Sequence, residues 1–195
     1  MNGREKILEQ VRKNQAPASP LPDLNYGLEK SSEILQKFIR CLGNIGGTAI
    51  EAGDWNDIDS QLRDRFPPSS RWISMIPQLK SRNLNGDLGN DPRTLENVSI
   101  AILAGQFGVA ENGSVWITED SMGDRVLPFI CEHLVLVIPA GAVYETMHDA
   151  YEHIGSSDHN FGTFIAGPSK TADIEQSLVL GAHGPKTLTV FLSHA

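Results

Sequence analysis

Apolar runs of strand length alternate with helical patterns along most of this chain, and this alternation restricts the fold more than any other feature. Such alternation favours a mainly parallel sheet with helices on both faces. The Asn112-Gly113 pair is a strong turn signal, so some antiparallel pairing is expected as well. The predicted fold is α/β, with a mixed, largely parallel sheet sandwiched by helices. The predicted strands are 48–50, 71–76, 98–104, 107–118, 134–138, 161–166 and 187–192, and the predicted helices are 2–14, 28–42, 55–65, 124–130, 142–154 and 171–178.

The chain length and one proline-rich segment predict the domain organisation. The chain has 195 residues, of which 40% are hydrophobic, and this is enough for one domain with a sizeable core. Residues 15–25 contain three prolines and few apolar anchors, which is typical of an extended linker. We therefore expect an N-terminal helix and Pro-rich linker over 1–25, followed by one α/β domain over 26–195.

Charge and cysteine content exclude several classes of protein. The net charge of −8 argues against non-specific nucleic-acid binding. No run approaches the roughly 20 apolar residues of a membrane helix, and the N-terminus lacks the apolar core of a signal peptide, so a cytoplasmic location with no membrane contact is expected. The only cysteines, Cys41 and Cys131, are not clustered, and no GxGxxG follows a strand. We therefore expect this chain to bind no iron–sulfur cluster, flavin or other cofactor by itself.

Two turns of small residues lie between the apolar runs at 161–166 and 187–192. In the first turn, Gly167 and Ser169 lead to Lys170 and to a predicted helix that starts at Thr171. The unpaired backbone amides of 169–172, the Lys170 charge and a Ser169 or Thr171 hydroxyl predict a site for a small carboxylate or a phosphate. Asp173 would repel an anion, so the alternative is a capped helix in which Asp173 serves only the helix dipole.

Two further side chains are candidates for catalysis. His183 lies in the second turn, Gly181–Pro185, where a histidine can act as an acid, a base or an oxyanion donor. Glu111 lies at the strand break before Asn112-Gly113 and could act as a base or a covalent nucleophile. The alternatives are a surface histidine and a solvated turn carboxylate. Because all these turns lie at strand ends, we expect 111–114, 167–171 and 181–185 to lie near one another.

Histidine and acidic side chains are dense between residues 145 and 159. His148 and Glu152, or Asp149 and His153, lie one helical turn apart and could share a metal ion. The HExxH pattern is absent, and a solvated helix face is the favoured interpretation. No metal site is predicted here.

Three segments resemble one known family. They are GPSKTADIE with LGAHGPKTLTVFL near the C-terminus, FGVAENGSVWIT, and the opening REKILEQVRKN followed by a Pro-containing linker. Together they are similar to the LUD-domain family, in its lactate utilisation protein C branch. The resemblance implies the fold of phosphosugar isomerases and CoA transferases (NagB/RpiA/CoA transferase-like).

The resemblance implies a role in bacterial L-lactate oxidation to pyruvate, alongside a cysteine-rich partner and an iron–sulfur partner. The lack of clustered cysteines fits a cluster-free component that binds a small carboxylate or organises these partners. The alternative is a stand-alone CoA-transferase-like or sugar-phosphate-isomerase-like enzyme. Class I CoA transferases use a glutamate in a Ser-Glu-Asn-Gly turn as nucleophile, and Ala110–Gly113 is similar. Both classes of function stay open at this point.

Overall fold

The computed structural model describes residues 2–17, 19–20, 33–67, 69–82, 91–155, 160–171 and 179–194. A five-stranded sheet forms the centre of the molecule, and all four of its strand pairings are parallel. This confirms the predicted α/β fold with a largely parallel sheet. In spatial order the strands are β1 (Thr48–Ala52), β11 (Thr187–Ser193), β6 (His133–Pro139), β3 (Ile100–Ala104) and β2 (Trp72–Ser74).

A second sheet of four strands contains the antiparallel pairing. The pairing of β4 (Phe107–Val109) with β5 (Ser114–Thr118) and that of β5 with β8 (Gly162–Ile165) are antiparallel, whereas β4 and β7 (Val143–Tyr144) run parallel. The predicted Asn-Gly turn is confirmed, since it joins β4 to β5, and Gly113 has a φ of 71°. The order is β7, β4, β5 and β8.

Helices and the second sheet cover the two faces of the central sheet. Alternate residues of each central strand face opposite sides, so two separate apolar clusters form. The helices that contribute to these clusters are α2 (Ile34–Asn44), α3 (Trp55–Arg65), α4 (Glu119–Met122) and α5 (Leu127–Ile130). One cluster packs against α3, and the other packs against α2, α4, α5 and the second sheet.

Several predicted helices have different bounds in the structure. The helix predicted at 124–130 begins only at Leu127, as the single turn α5. The helix predicted at 142–154 begins only at Met147, as α6 (Met147–Ile154), because residues 143–144 pair with β4 instead. The helix predicted at 171–178 does not begin at Thr171. Lys170–Thr171 form a short strand, β9, which pairs antiparallel with β10 (Val179–Leu180). Residues 172–178 lie outside the described residues.

The first helix, α1 (Gly3–Lys13), is an amphipathic element that buries none of its own residues. Asn2 caps it in a reciprocal arrangement with Glu5, which satisfies two backbone amides of the first turn. Across the described part of the chain, no helix combines the length and the apolar character that a membrane crossing requires.

Candidate functional site

The two turns that flank residues 172–178 are joined by backbone hydrogen bonds. The amide of Ser169 donates to the carbonyl of Pro185 at 2.8 Å, and the amide of Gly181 donates to the carbonyl of Ser169 at 3.0 Å. The turn at 111–114 lies near the 167–171 turn because both adjoin paired strands of the second sheet. Val115 pairs with Ile165, so Ser114 lies beside the start of the 167–171 turn.

Gly184 allows the second turn to lie close against its neighbours. A Cβ atom at Gly184 would lie 3.0 Å from the Cβ of Ser169 and 3.5 Å from the carbonyl oxygen of Phe129. The first of these distances is shorter than most side-chain contacts, so a larger residue would push the turn away from Ser169. Glycine at this position therefore keeps the two turns and α5 together.

A cleft of about 430 Å³ opens between the 181–186 segment and the chain around α5. Its apolar wall includes Val126, Phe129 and Ile130, and its polar side includes His183 and Lys186. These segments precede β6 and β11, so the cleft lies at the amino edge of the parallel sheet. Ligand sites of open α/β sheets commonly lie at the opposite, carboxyl edge.

Lys186 is a cation of this cleft that sequence reasoning missed. Its backbone amide donates to the carbonyl of Glu132 at 2.7 Å, and its Nζ lies 3.3 Å from Glu132 Oε2. The side chains of Lys186 and Glu132 are 56% and 54% exposed, so this ion pair contributes little to stability. The one sequence signal for Lys186 is its position directly between Gly184-Pro185 and the last strand.

Lys170, the cation that the sequence predicted, lies against a different part of the molecule. Its Cε is 3.7 Å from the position that a Cβ of Gly46 would take, just beyond the carboxyl end of α2. A cation there is stabilised by the negative end of the helix dipole. Lys170 is exposed, and Thr171 beside it is partly buried in β9.

The predicted cradle of backbone amides is only partly available. The amide of Ser169 is used by Pro185, and no helix starts at Thr171 to expose the amides of a first turn. Gly167 has a φ of 74° and lies so close to Ile45 that a Cβ would be 2.7 Å from its carbonyl oxygen. Gly167 therefore serves the packing of this turn on α2. Asp173 lies outside the described residues.

Glu111 binds the N-terminus of α6. Its Oε2 accepts a hydrogen bond of 2.8 Å from the backbone amide of Met147, the first residue of that helix. A carboxylate at this position satisfies an unpaired amide and complements the helix dipole. Glu111 is exposed, and this contact supports a capping role.

The histidine and acidic side chains around α6 also have structural contacts. Glu145 is buried, and its Oε1 lies 3.4 Å from Nζ of Lys37. Asp149 forms a capping box with Thr146. The His153 ring packs on Phe107 with ring centroids 5.4 Å apart. Among the residues that the structure describes, no group of three or more His, Cys, Asp and Glu side chains could hold a metal ion, and residues 156–159 lie outside that set.

The cysteines are free thiols in different environments. Cys131 contributes to the cleft lining but is buried, and desolvation raises the pKa of its thiol to about 12. Since a thiolate is the reactive form, Cys131 is a poor nucleophile at neutral pH. Cys41 lies on α2 and is partly buried.

Comparisons with known proteins agree on one family. The model of the LUD domain matches residues 86–193. Lactate utilization protein C of Oceanobacillus iheyensis is 30% identical over 96% of this chain and 91% of that protein. Lactate utilization protein C of Geobacillus kaustophilus is 27% identical over 66% of this chain, but the match spans only 53% of that protein.

A solved structure shows the same fold. The crystal structure of a DUF162 family protein from Deinococcus radiodurans matches with a TM-score of 0.62 over 85% of this chain and 99% of that chain. The sequence identity is 15%, so this likeness concerns the fold alone.

Proposed function

Because this chain belongs to the LUD domain family, we propose that it takes part in lactate utilisation as a component that carries no redox centre of its own. The observation that carries this proposal is the similarity to a protein named Lactate utilization protein C, which extends over 96% of the chain. Similarity over nearly the whole length includes both turns of the candidate site.

The cysteine content supports a division of labour in which partner proteins transfer the electrons. Iron–sulfur clusters are usually held by four cysteine thiolates, and this chain has two cysteines. One of them, Cys131, is buried with a weakly acidic thiol. In this proposal, a cysteine-rich subunit and an iron–sulfur subunit oxidise L-lactate to pyruvate, and this chain binds a small carboxylate or organises those subunits.

The joined turns at 167–171 and 181–185 are the proposed binding site. Ser169 and Thr171 supply hydroxyl groups, Lys170 supplies charge, and Gly167 holds the turn in place. His183 borders the adjacent cleft and donates or accepts a proton at the ligand. A stand-alone enzyme that uses Glu111 as nucleophile stays a prediction, and the contact of Glu111 with Met147 favours the capping role instead.

Reconstitution tests the role in lactate oxidation. The purified chain is mixed with an iron–sulfur protein and a cysteine-rich protein of a bacterial L-lactate oxidation system, and pyruvate formation from L-lactate is measured. We expect turnover with the full set and none with this chain alone. Turnover by the isolated chain, or full turnover by the partners without it, would contradict the proposal.

Calorimetry tests the carboxylate site. A charge-assisted hydrogen bond contributes about 1.5–3 kcal/mol, so Lys170→Ala should weaken binding of lactate or pyruvate by about tenfold or more. Lys13→Ala is the matched control, because Lys13 is an exposed cation of α1. Equal affinities for the Lys170→Ala and Lys13→Ala variants would show that Lys170 does not bind the ligand and only contacts the end of α2. Phosphate is titrated in parallel to separate it from carboxylates.

A further inference from the structure

The cleft beside the 181–186 segment is larger than a three-carbon acid requires. Its volume is about 430 Å³. Sites for drug-sized molecules measure roughly 300–1,000 Å³, whereas one water molecule occupies about 30 Å³ of liquid. Lactate or pyruvate would therefore leave most of this cleft unfilled, and the remaining volume has an apolar wall.

The apolar wall of the cleft includes one exposed aromatic residue. Phe129 lies on the single turn of α5 and is 41% exposed, while its neighbours Leu127 and Pro128 are buried in the core. Among the described residues outside α1, the exposed large hydrophobic side chains are Phe129 and Tyr151. Phe129 thus presents apolar area that a ligand would remove from water.

The polar side of the cleft carries a lysine whose ion-pair partner a ligand can replace. Lys186 pairs with Glu132, and both side chains are more than half exposed. An ion pair of this kind is worth little, so a ligand carboxylate can replace Glu132 at Lys186 with a small loss. His183 lines the same cleft and supplies a second polar contact.

We propose that this cleft binds a carboxylic acid larger than lactate, such as a 2-hydroxy or 2-oxo acid with an extended apolar chain. The carboxylate binds Lys186 and His183, and the apolar chain lies on Phe129, Val126 and Ile130. This inference rests on the proposed function as a carboxylate-binding component, but it places the carboxylate at Lys186, in the cleft beside the joined turns, and not at Lys170.

A series of ligands tests the apolar part of the inference. L-lactate, 2-hydroxyhexanoate and 2-hydroxyoctanoate are titrated into the full chain by calorimetry. A fully buried methylene raises affinity by up to about fourfold, so affinity should increase along the series until the chain outgrows the cleft. Phe129→Ala should remove most of that increase. Phe129→Leu should retain part of it, and Ile7→Ala, at an exposed apolar residue of α1, is the control.

Two charge variants test the other end of the ligand. Because Lys186 is more than half exposed, its ion pair with a carboxylate is worth up to about 1 kcal/mol, so Lys186→Ala should weaken binding of 2-hydroxyhexanoate by up to about fivefold. Glu132→Gln should strengthen it, because the competing carboxylate is removed. An ion pair with a purely structural role predicts no change in affinity for either variant. Lys13→Ala is again the control for loss of one surface cation.

The outcomes separate this inference from the proposed function. Lactate binding with no gain from chain length would overturn the inference and leave the proposed function standing. Binding of the longer acids with no heat from lactate would support the inference and contradict lactate as the ligand. No heat from any acid would overturn the inference and the proposed carboxylate site, and would leave the role in organising the partner subunits to the reconstitution experiment. Unchanged affinities in the Phe129→Ala and Lys186→Ala variants would place the bound acid elsewhere and overturn the inference.

Discussion

Replacing Gly113 by alanine should destabilise the protein more than the same change at Gly46, although both glycines have a positive φ. Gly113 has a φ of 71° and Gly46 a φ of 88°. An alanine in the left-handed region costs roughly 1–2 kcal/mol at either position. The two positions differ in what the added methyl group would meet.

The surroundings of Gly113 leave no room for a methyl group. A Cβ there would lie 2.5 Å from the backbone nitrogen of Leu42 and 2.9 Å from the carbonyl carbon of Cys41, and helix backbone cannot move aside cheaply. At Gly46 the nearest atom is Cγ of Pro168 at 3.5 Å, an ordinary contact. Overpacking costs about 1–3 kcal/mol, so Gly113→Ala should lose that much more stability than Gly46→Ala.

Equilibrium unfolding in urea measures this difference. The Gly46→Ala variant should lose about 1–2 kcal/mol and the Gly113→Ala variant about 2–5 kcal/mol, with equal m-values. In a chain of this size, each kcal/mol corresponds to about 2–4 °C in melting temperature. Equal losses for the two variants would show that α2 yields to the turn and would refute the reasoning.

Glu111, His133 and the two cysteines each allow a separate test. Glu111→Ala removes the carboxylate that binds the Met147 amide, so thermal unfolding should show a loss of about 0.5–1 kcal/mol in stability. Glu111→Gln should retain most of the wild-type stability. Loss of lactate-dependent activity in a Glu111→Gln protein of unchanged stability would instead indicate chemistry at Glu111. Burial lowers the pKa of His133, so the unfolded state binds the proton more readily and stability should fall as the pH drops below about 6.5. Thermal melts between pH 5 and 8 should show a weaker dependence in a His133→Gln variant, and an identical dependence would contradict this assignment. In the native protein, a thiol reagent should modify Cys41 much faster than Cys131, since burial raises the Cys131 pKa to about 12; equal rates detected by mass spectrometry would contradict it.

Local signals allowed prediction of the elements that depend on neighbouring residues alone. The helix predicted at 55–65 has the same bounds in the structure, because Asp54 caps it and Pro67 follows closely. The Asn-Gly turn was predicted for the same reason. A helix cap or an Asn-Gly turn depends on a few neighbouring residues and not on contacts with distant parts of the chain.

Backbone pairing with other segments accounts for two places where the structure differs from the predicted helices. Residues 143–144 continue a helical pattern, but their backbone pairs with Gly108 and Val109. Lys170 and Thr171 precede a sequence typical of a helix start, but they pair with 179–180. A strand of two residues has no periodicity to detect, so neither could be predicted from its own residues.

The cation of the cleft was missed for a related reason. Lys186 and Glu132 are separated by 54 residues and meet only because β6 and β11 are neighbours. Lys170 attracted the prediction because it lies beside Ser169 in a turn of small residues. The sequence indicated the turn that contains Lys170, but it did not indicate the pairing of β6 with β11 that brings Lys186 to Glu132.

The position of β11 in the central sheet has a consequence for synthesis on the ribosome. Residues 187–193 occupy the place between β1 and β6, so the early strand β1 has no partner in this sheet until those residues emerge from the exit tunnel. From the synthesis of β1 until that of β11, the nascent chain must therefore hold apolar strands with unpaired edges, and such edges are prone to aggregation. A stalled or prematurely terminated chain that lacks this strand would remain a substrate for chaperones and proteases.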